Sequence, residues 1–234
     1  MTRISKSLSI LKNHILLQLS EGDRKSLLRD ADQVRLPVGD TLARAGDDIA
    51  FAYFPDTGII SLVSEMTTGH QVAVATVGSE GVVGLEYVFH MAHYPQRLVV
   101  LAESSGYRVP VERFERAFNE SEAVRRVTLI HMGRKMTELT VAAACYRVHS
   151  HRQRLARWLL TTTDKARQQS LRVTHETLAQ MVGGPRHAVT VALNELRDKG
   201  ATEHLRGKIE VVKRSVLIAQ SCECYSSFSQ NLRR

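Results

Sequence analysis

The sequence has few cysteines and no long apolar run, and both absences exclude classes of protein. Only three of the 234 residues are cysteines, Cys145, Cys222 and Cys224. They are too few and too irregularly spaced to predict a disulfide framework or a metal site. No apolar run approaches the roughly 18–20 residues that span a bilayer, and Lys12–His14 interrupt any N-terminal secretory signal. We therefore expect a cytoplasmic protein with no membrane partner, no metal and no cofactor.

The sequence also lacks the short motifs that mark common enzyme classes. No nucleophile elbow, phosphate-binding glycine loop or metal-ligand set appears in it, and no paired carboxylates stand out at helical spacing. We therefore do not expect an enzyme.

Acidic residues are scarce in the last third of the chain. Residues 147–234 carry 16 Lys and Arg against 7 Asp and Glu, a net charge of +9, whereas residues 1–146 carry 16 against 17, a net charge of −1. The whole excess of +8 therefore lies in the C-terminal part. A basic domain beside a neutral one is the pattern that phosphate binding produces.

The segment 174–196 has the pattern of a helix-turn-helix. Thr174 can accept backbone hydrogen bonds as an N-cap, Gly183 can supply the tight turn, and Pro185 can open the second helix. Apolar residues recur at helical spacing at Leu178, Met181, Val182, Val189, Ala192, Leu193 and Leu196. Because this unit usually places its second helix in a DNA major groove, the pattern predicts DNA binding, with an ordinary helical hairpin as the alternative.

The side chains that remain on or near the outer face of the second helix are the candidate DNA contacts. They are Arg186, His187, Thr190, Val191 and Asn194. Two short alternating segments then flank a glycine-containing turn, which predicts the β-hairpin wing of a winged helix. We expect three further residues to contribute to DNA binding, Thr174 at the start of the first helix and Arg206 and Lys208 at the tip of the wing.

Residues 34–110 contain short β-type runs separated by turn residues. The predicted breaks include Gly39–Asp40, Gly46–Asp48, Pro55–Gly58 and Gly78–Gly81. Many short strands at regular spacing predict a compact barrel or roll.

Residues 121–149 predict a long helix that is interrupted only by Gly133. Apolar residues recur along it at roughly heptad intervals, at Val124, Val127, Ile130, Met136, Leu139 and 141–144. This is more apolar surface than one small roll covers, so it predicts a homodimer seam. Packing against the chain's own roll is the alternative, and both can hold on different faces.

Together these features resemble the Crp/Fnr family of bacterial transcription regulators. The resemblance covers nearly the whole chain and is most specific at Arg154–Leu160 and Leu171–Gly183. It implies an α+β fold with an N-terminal double-stranded β-roll sensor at 1–119, a dimerisation helix at 120–149 and a winged helix-turn-helix at 150–234. It further implies a homodimer that binds double-stranded DNA at an inverted repeat, with RNA polymerase as a further partner. The alternative is a cyclic-nucleotide-binding regulator that acts through protein contacts alone.

The resemblance also implies roles for particular residues of the second helix. In the family the first, second and sixth positions of this helix read bases, and here they hold Arg186, His187 and Val191. An arginine can bond guanine bidentately, while a valine offers only apolar contact, for example to a thymine methyl.

The effector pocket that the family implies is incomplete in this sequence. Cyclic-nucleotide-binding members carry a Gly-Glu pair for the ribose and an Arg-Ser or Arg-Thr pair for the phosphate. The matching stretches here are Gly84-Leu85-Glu86 and Arg97-Leu98. Leucines replace two of the three polar anchors, unless the chain slips by one residue and offers Glu86 in place of Leu85. We therefore expect weak cyclic-nucleotide binding, and both the identity and the existence of a small-molecule effector stay open.

Two other kinds of sensor have little support in the sequence. Iron–sulfur members need a cysteine cluster, and residues 1–144 contain no cysteine. A haem would need an axial ligand such as His70, His90 or His93, but the His90–His93 stretch is more typical of an exposed loop.

Overall fold

The computed structural model of the protein describes residues 2–3, 11–205 and 207–227. The chain forms two compact units. The first consists of residues 1–65 and 75–134, and the second of residues 66–74 and 135–234.

The first unit is built on an antiparallel sheet. The strands are β1 (Thr2–Arg3), β2 (Asp32–Leu36), β3 (Thr41–Ala43), β4 (Phe51–Glu65), β5 (Gln71–Val77) and β6 (Arg97–Pro110). Their order is β1-β2-β6-β4-β5, and β3 also pairs with β6. The two long strands β4 and β6 pair along most of their length, from Phe51 opposite Pro110 to Val63 opposite Arg97.

The predicted break at Pro55–Gly58 is wrong, because β4 continues through it. The register of β4 against β6 shifts between Pro55 and Thr57 and again between Thr57 and Ile59. These irregularities are β-bulges, which bend a strand without ending it. Gly58 has a φ of +77°, a conformation that glycine adopts at little cost. Turn-forming residues therefore mark a bend within one strand here.

Helices cover this sheet and complete two apolar cores. The helices are α1 (His14–Leu17), α2 (Glu21–Leu27), a 3₁₀ helix (Leu85–Phe89), α3 (Val111–Glu120) and α4 (Glu122–Val148). In one core Phe54 meets Phe114 edge-on, with 5.6 Å between the ring centroids. Val124 and Val127 of α4 belong to the same core. The start of α4 therefore packs against the sheet of its own chain, which was the alternative to a homodimer seam for this helix.

The second unit combines helices with a small sheet. Its elements after α4 are α5 (His151–Ala166), β7 (Ser170–Arg172), α6 (His175–Val182), α7 (Arg186–Asp198), β8 (Thr202–Leu205), β9 (Lys208–Val211) and α8 (Arg214–Gln220). The strands pair in the order β7-β9-β8. Leu155, Trp158 and Leu159 of α5 are buried in the core of this unit. Among the described residues, no helix is both long enough and apolar enough to cross a membrane.

A buried carboxylate holds two lysines in the second unit. Glu138 Oε2 accepts hydrogen bonds from Lys135 Nζ and Lys165 Nζ, each at 2.9 Å. The side chains of Glu138 and Lys165 are 9% and 2% exposed. Burial raises the pKa of Glu138, but the charges and hydrogen bonds of the two lysines outweigh burial and lower the pKa from 4.5 to about 2.

We predict that Glu138→Gln destabilises the protein by about 3–5 kcal/mol at neutral pH, because the two lysines lose their buried countercharge. The lowered folded pKa also makes the stabilisation pH-dependent. It is complete above the ordinary value of 4.5 and is lost as pH falls towards 2. Urea unfolding at several pH values should therefore show wild type and variant converging in acid. Glu203→Gln, at an exposed position of β8, is the control, and parallel pH profiles for wild type and Glu138→Gln would contradict the prediction.

Candidate nucleic-acid interface

The helix-turn-helix predicted from residues 174–196 is present as α6 and α7. Thr174 caps α6, and its hydroxyl accepts a hydrogen bond from the backbone N–H of Thr177 at 3.0 Å. Gly183 ends α6 with a φ of +63°, as the turn requires. Pro185 is the N-cap of α7. The sequence therefore identified the cap and the turn correctly.

Gly184 brings the turn into close contact with α5, which sequence reasoning missed. A Cβ atom at Gly184 would overlap the imidazole ring of His151. Burial, and then the nearby positive charges of Arg154 and His187, lower the pKa of His151. The sequence carries a glycine pair at 183–184, but nothing in it shows which helix the second glycine faces.

One face of α7 is anchored in the core. Val189, Leu193 and Leu196 are fully buried, and Ala192 is 3% exposed. These positions recur every three or four residues, so they form one helical face. All four were predicted to face inward. Their packing fixes which side chains of α7 remain outside.

The opposite face of α7 carries four exposed side chains. Arg186, His187, Val191 and Asn194 are all exposed, Val191 by 55%. His187, Val191 and Asn194 lie four and three residues apart, which places them on a common helical face, and Arg186 precedes them as the first residue of the helix. The face combines a guanidinium, an imidazole, an amide and an apolar surface. These are groups that can bond or contact base edges.

Thr190 lies between the helices instead of on the outer face. Its hydroxyl donates to the backbone carbonyl of Arg186 and contacts His175 Nδ1, both at 3.0 Å. The side chain is only partly exposed. Thr190 therefore links α7 to α6, a position that helical spacing alone did not reveal.

The predicted wing is the hairpin of β8 and β9. Its turn contains Gly207, with a φ of +76°, while the predicted contact Arg206 lies outside the described residues. Lys208 Nζ lies 3.2 Å from Glu210 Oε2. Arg172 of β7 is exposed and pairs in register with Lys208. Directly paired residues of antiparallel strands share a face, so Arg172 adds a second cation that sequence reasoning missed.

The candidate effector residues of the first unit are divided between its two cores. Leu85 packs against the core that contains Phe54. Leu98 is 2% exposed and belongs to the other core. Gly84, with a φ of +88°, precedes the 3₁₀ helix. Leu98 is therefore a core residue, and the partly buried Leu85 packs against the other core.

The two charged candidates of the first unit have local explanations. Arg97 Nε lies 3.1 Å from the Glu65 carboxylate. Glu86 is the second residue of the 3₁₀ helix, and burial raises its pKa. The ion pair with Glu65 neutralises the charge that a cyclic phosphate would need from Arg97.

The candidate haem ligands lie at the surface of the protein. His70, His90 and His93 are all exposed. His93 Nδ1 contacts the Asp48 carboxylate at 2.9 Å. A bound haem needs an apolar pocket around its axial ligand, and these exposed histidines do not provide one.

Comparison with known proteins finds two family matches and many similar folds. Residues 153–219 match the Crp-like helix-turn-helix domain, and residues 33–121 match the cyclic nucleotide-binding domain. A comparison with curated protein sequences finds no match.

Solved structures of regulators share the fold of this chain. FixK2 from Bradyrhizobium japonicum is 15% identical with a TM-score of 0.70, over 82% of this chain and 98% of its own. A CRP-family transcriptional regulator from Thermus thermophilus is 19% identical with a TM-score of 0.68, over 80% and 95%. The c-di-GMP-responsive global regulator CLP from Xanthomonas campestris is 18% identical with a TM-score of 0.67, over 83% and 100%. At these identities the likeness concerns the fold.

The cyclic nucleotide-binding match covers most of the N-terminal sheet, and the Crp-like match after it covers the helix-turn-helix. The chain thus belongs to the Crp/Fnr family of transcription regulators.

Proposed function

We propose that the protein binds a specific double-stranded DNA sequence as a homodimer and thereby regulates transcription in the cytoplasm. The observation that carries the proposal is the exposed face of α7, which is held outward by a fully buried opposite face. Two such helices would enter successive major grooves, about 34–36 Å apart, on an inverted repeat. RNA polymerase is a further proposed partner.

The charge of the second unit supports contact with the phosphate backbone. Residues 147–234 carry a net charge of +9. Arg172 and Lys208 lie side by side on the sheet next to the helix-turn-helix. Such cations neutralise phosphates and set the orientation on DNA without reading its sequence. We assign Arg172 and Lys208, together with Arg206, to this role.

Sequence reading is assigned to the exposed face of α7. The guanidinium of Arg186 suits O6 and N7 of a guanine, and Asn194 can bond an adenine in the same manner. Val191 offers apolar contact to a thymine methyl. His187 can donate to a base or a phosphate, and Thr174 and Thr190 support the two helices through the hydrogen bonds described above.

The exposed face of α4 supports a second copy of the chain as the dimer partner. Five large apolar side chains of α4 are exposed, Leu129 by 47%, Ile130 by 41%, Met136 by 63%, Leu139 by 42% and Val148 by 73%. Val124 and Val127 lie instead in the chain's own core. Leu129, Met136 and Leu139 are spaced seven and three residues apart and so share one helical face, whereas Ile130 lies to one side of it. An apolar stripe of this kind is the pattern of a helix pair, because a partner helix removes it from water.

We propose that cyclic nucleotides are not the effector of the first unit. Leu85 packs against one core, Leu98 belongs to the other, and Arg97 pairs with Glu65. A pocket without these polar groups lacks the anchors that orient such a ligand. Any effector would act by binding the DNA-competent state of the dimer more tightly than the other state.

The test of the proposed function is selection of bound duplexes from a random pool, at two salt concentrations and without added ligand. We expect enrichment of an inverted repeat, and binding that weakens steeply as salt rises, because bound phosphates release counterions. An enriched repeat would also show that no effector is obligatory. Salt-sensitive binding without a consensus would point to a missing effector, whereas no binding at either salt would favour the protein-contact alternative.

We predict that Arg186→Ala weakens binding to the selected sequence by about 1–3 kcal/mol and relaxes the preference at one base pair. Arg197→Ala is the matched control, because Arg197 is also exposed on α7 but lies beside Asp198 at its end. Arg172→Ala should instead weaken all sequences alike and reduce the salt slope by about one. Unchanged sequence preference in Arg186→Ala would remove this residue from base reading.

We predict that Met136→Glu converts the dimer to monomer, because the seam would bury an unpaired carboxylate. Sedimentation velocity measures the association state, and binding to whole and half sites measures the consequence for DNA. The control is Met91→Glu, the same change at a methionine that is 45% exposed outside α4. A dimer that persists in Met136→Glu would place the seam elsewhere.

A further inference from the structure

The fold gathers all three cysteines and one histidine at one place in the second unit. Cys145 lies in the last turn of α4, and His149 follows four residues later. Cys222 and Cys224 follow α8, near the end of the described chain. The three sulfur atoms and one imidazole nitrogen all lie within 4.8 Å of one another. The irregular spacing along the sequence had argued against such a site.

Two of the separations between these atoms are close to the edges of a tetrahedron of zinc ligands, and the others are at most 4.8 Å. Cys145 Sγ lies 3.6 Å from Cys222 Sγ, and Cys224 Sγ lies 3.8 Å from His149 Nδ1. Zinc bonds of about 2.3 Å to sulfur and about 2.0 Å to nitrogen give tetrahedral edges of about 3.8 Å and 3.6 Å. A disulfide would need its two sulfurs at about 2.0 Å. The atoms are thus spaced as ligands of a single ion are.

The surroundings of the four groups also suit a closed metal site. Cys145, Cys222 and Cys224 are 0%, 4% and 9% exposed. The His149 side chain is 11% exposed, and its Nε2 lies 3.2 Å from Glu223 Oε1. A carboxylate on the outer imidazole nitrogen fixes the ring and leaves the other nitrogen for a metal. Packing alone accounts for buried cysteines, but not for an imidazole nitrogen held towards them.

We propose that Cys145, His149, Cys222 and Cys224 bind one zinc ion as a structural site. Three thiolates and one imidazole form the Cys₃His set that tetrahedral structural zinc sites use. The three thiol protons pass to solvent when the ion binds. Four protein ligands leave no open position, so the site has no catalytic water. The ion ties the segment after α8 to the end of α4, and this link stabilises the unit that carries α7.

Glu223 is a positioning residue in this arrangement. It lies between the two C-terminal cysteines, and its side chain is 80% exposed. Glu223→Gln therefore leaves the four ligands and the core in place. Loss of an outer partner of this kind lowers metal affinity by about 10–100-fold.

The experiment uses the full chain, purified without an affinity tag that binds metal and kept under reducing conditions. Elemental analysis should give one zinc per chain in wild type and less than about a tenth of that in Cys222→Ser/Cys224→Ser. The metal-free wild type should then take up Co²⁺ with the visible spectrum of a tetrahedral thiolate site. Competition against a chelator should show the 10–100-fold loss for Glu223→Gln and none for Glu203→Gln.

Three outcomes would overturn the proposed zinc site, and a fourth would overturn the role given to Glu223. One is wild-type protein that contains no metal and gives no cobalt spectrum after reduction. A second is iron with sulfide in place of zinc, and a third is a disulfide that forms while the reduced protein ignores both ions. Equal zinc affinity in Glu223→Gln and wild type would remove the outer carboxylate from the site. Because the cobalt titration uses wild-type protein, a cysteine variant that fails to fold leaves the proposal testable.

Discussion

The packing of α7 through one buried face is the constraint on which the candidate interface depends. Val189, Leu193 and Leu196 are fully buried. A helix held on one side has no freedom to turn, so Arg186, His187, Val191 and Asn194 stay outside together. The threonine hydroxyl that joins α7 to α6, and the glycine that lets the turn approach His151, fix the same arrangement. Side chains that read DNA must be positioned by a rigid support in this way.

Helix α4 carries two different surfaces along one length of chain. Val124 and Val127 complete the core of the first unit. Leu129, Ile130 and Met136 remain exposed, although they are as apolar as the two buried valines. When a second helix covers exposed apolar side chains of this kind, their removal from water stabilises the helix pair. The proposed dimer and the stability of the first unit therefore depend on separate residues of α4.

Two clusters of buried polar side chains connect separate segments of the second unit. Glu138 holds two lysines, one of them 2% exposed, and each would be costly to bury without it. The cysteine and histidine cluster lies at the junction of α4 with the segment after α8. Both features join residues far apart in the chain. Neither leaves a local pattern, so helical and strand periodicity could not reveal them.

The sequence by itself determined the family, the order of elements and the helix-turn-helix, because caps, glycine turns and apolar spacing are local signals. It also separated the outer from the inner face of α7, apart from Thr190. Tertiary structure decided where β4 bends, since only pairing with β6 turns Pro55–Gly58 into bulges. It decided too that Leu98 is a core residue, that Leu85 packs against the other core and that Cys145, His149, Cys222 and Cys224 meet. Such contacts depend on how distant segments pack, and spacing along the chain does not record packing.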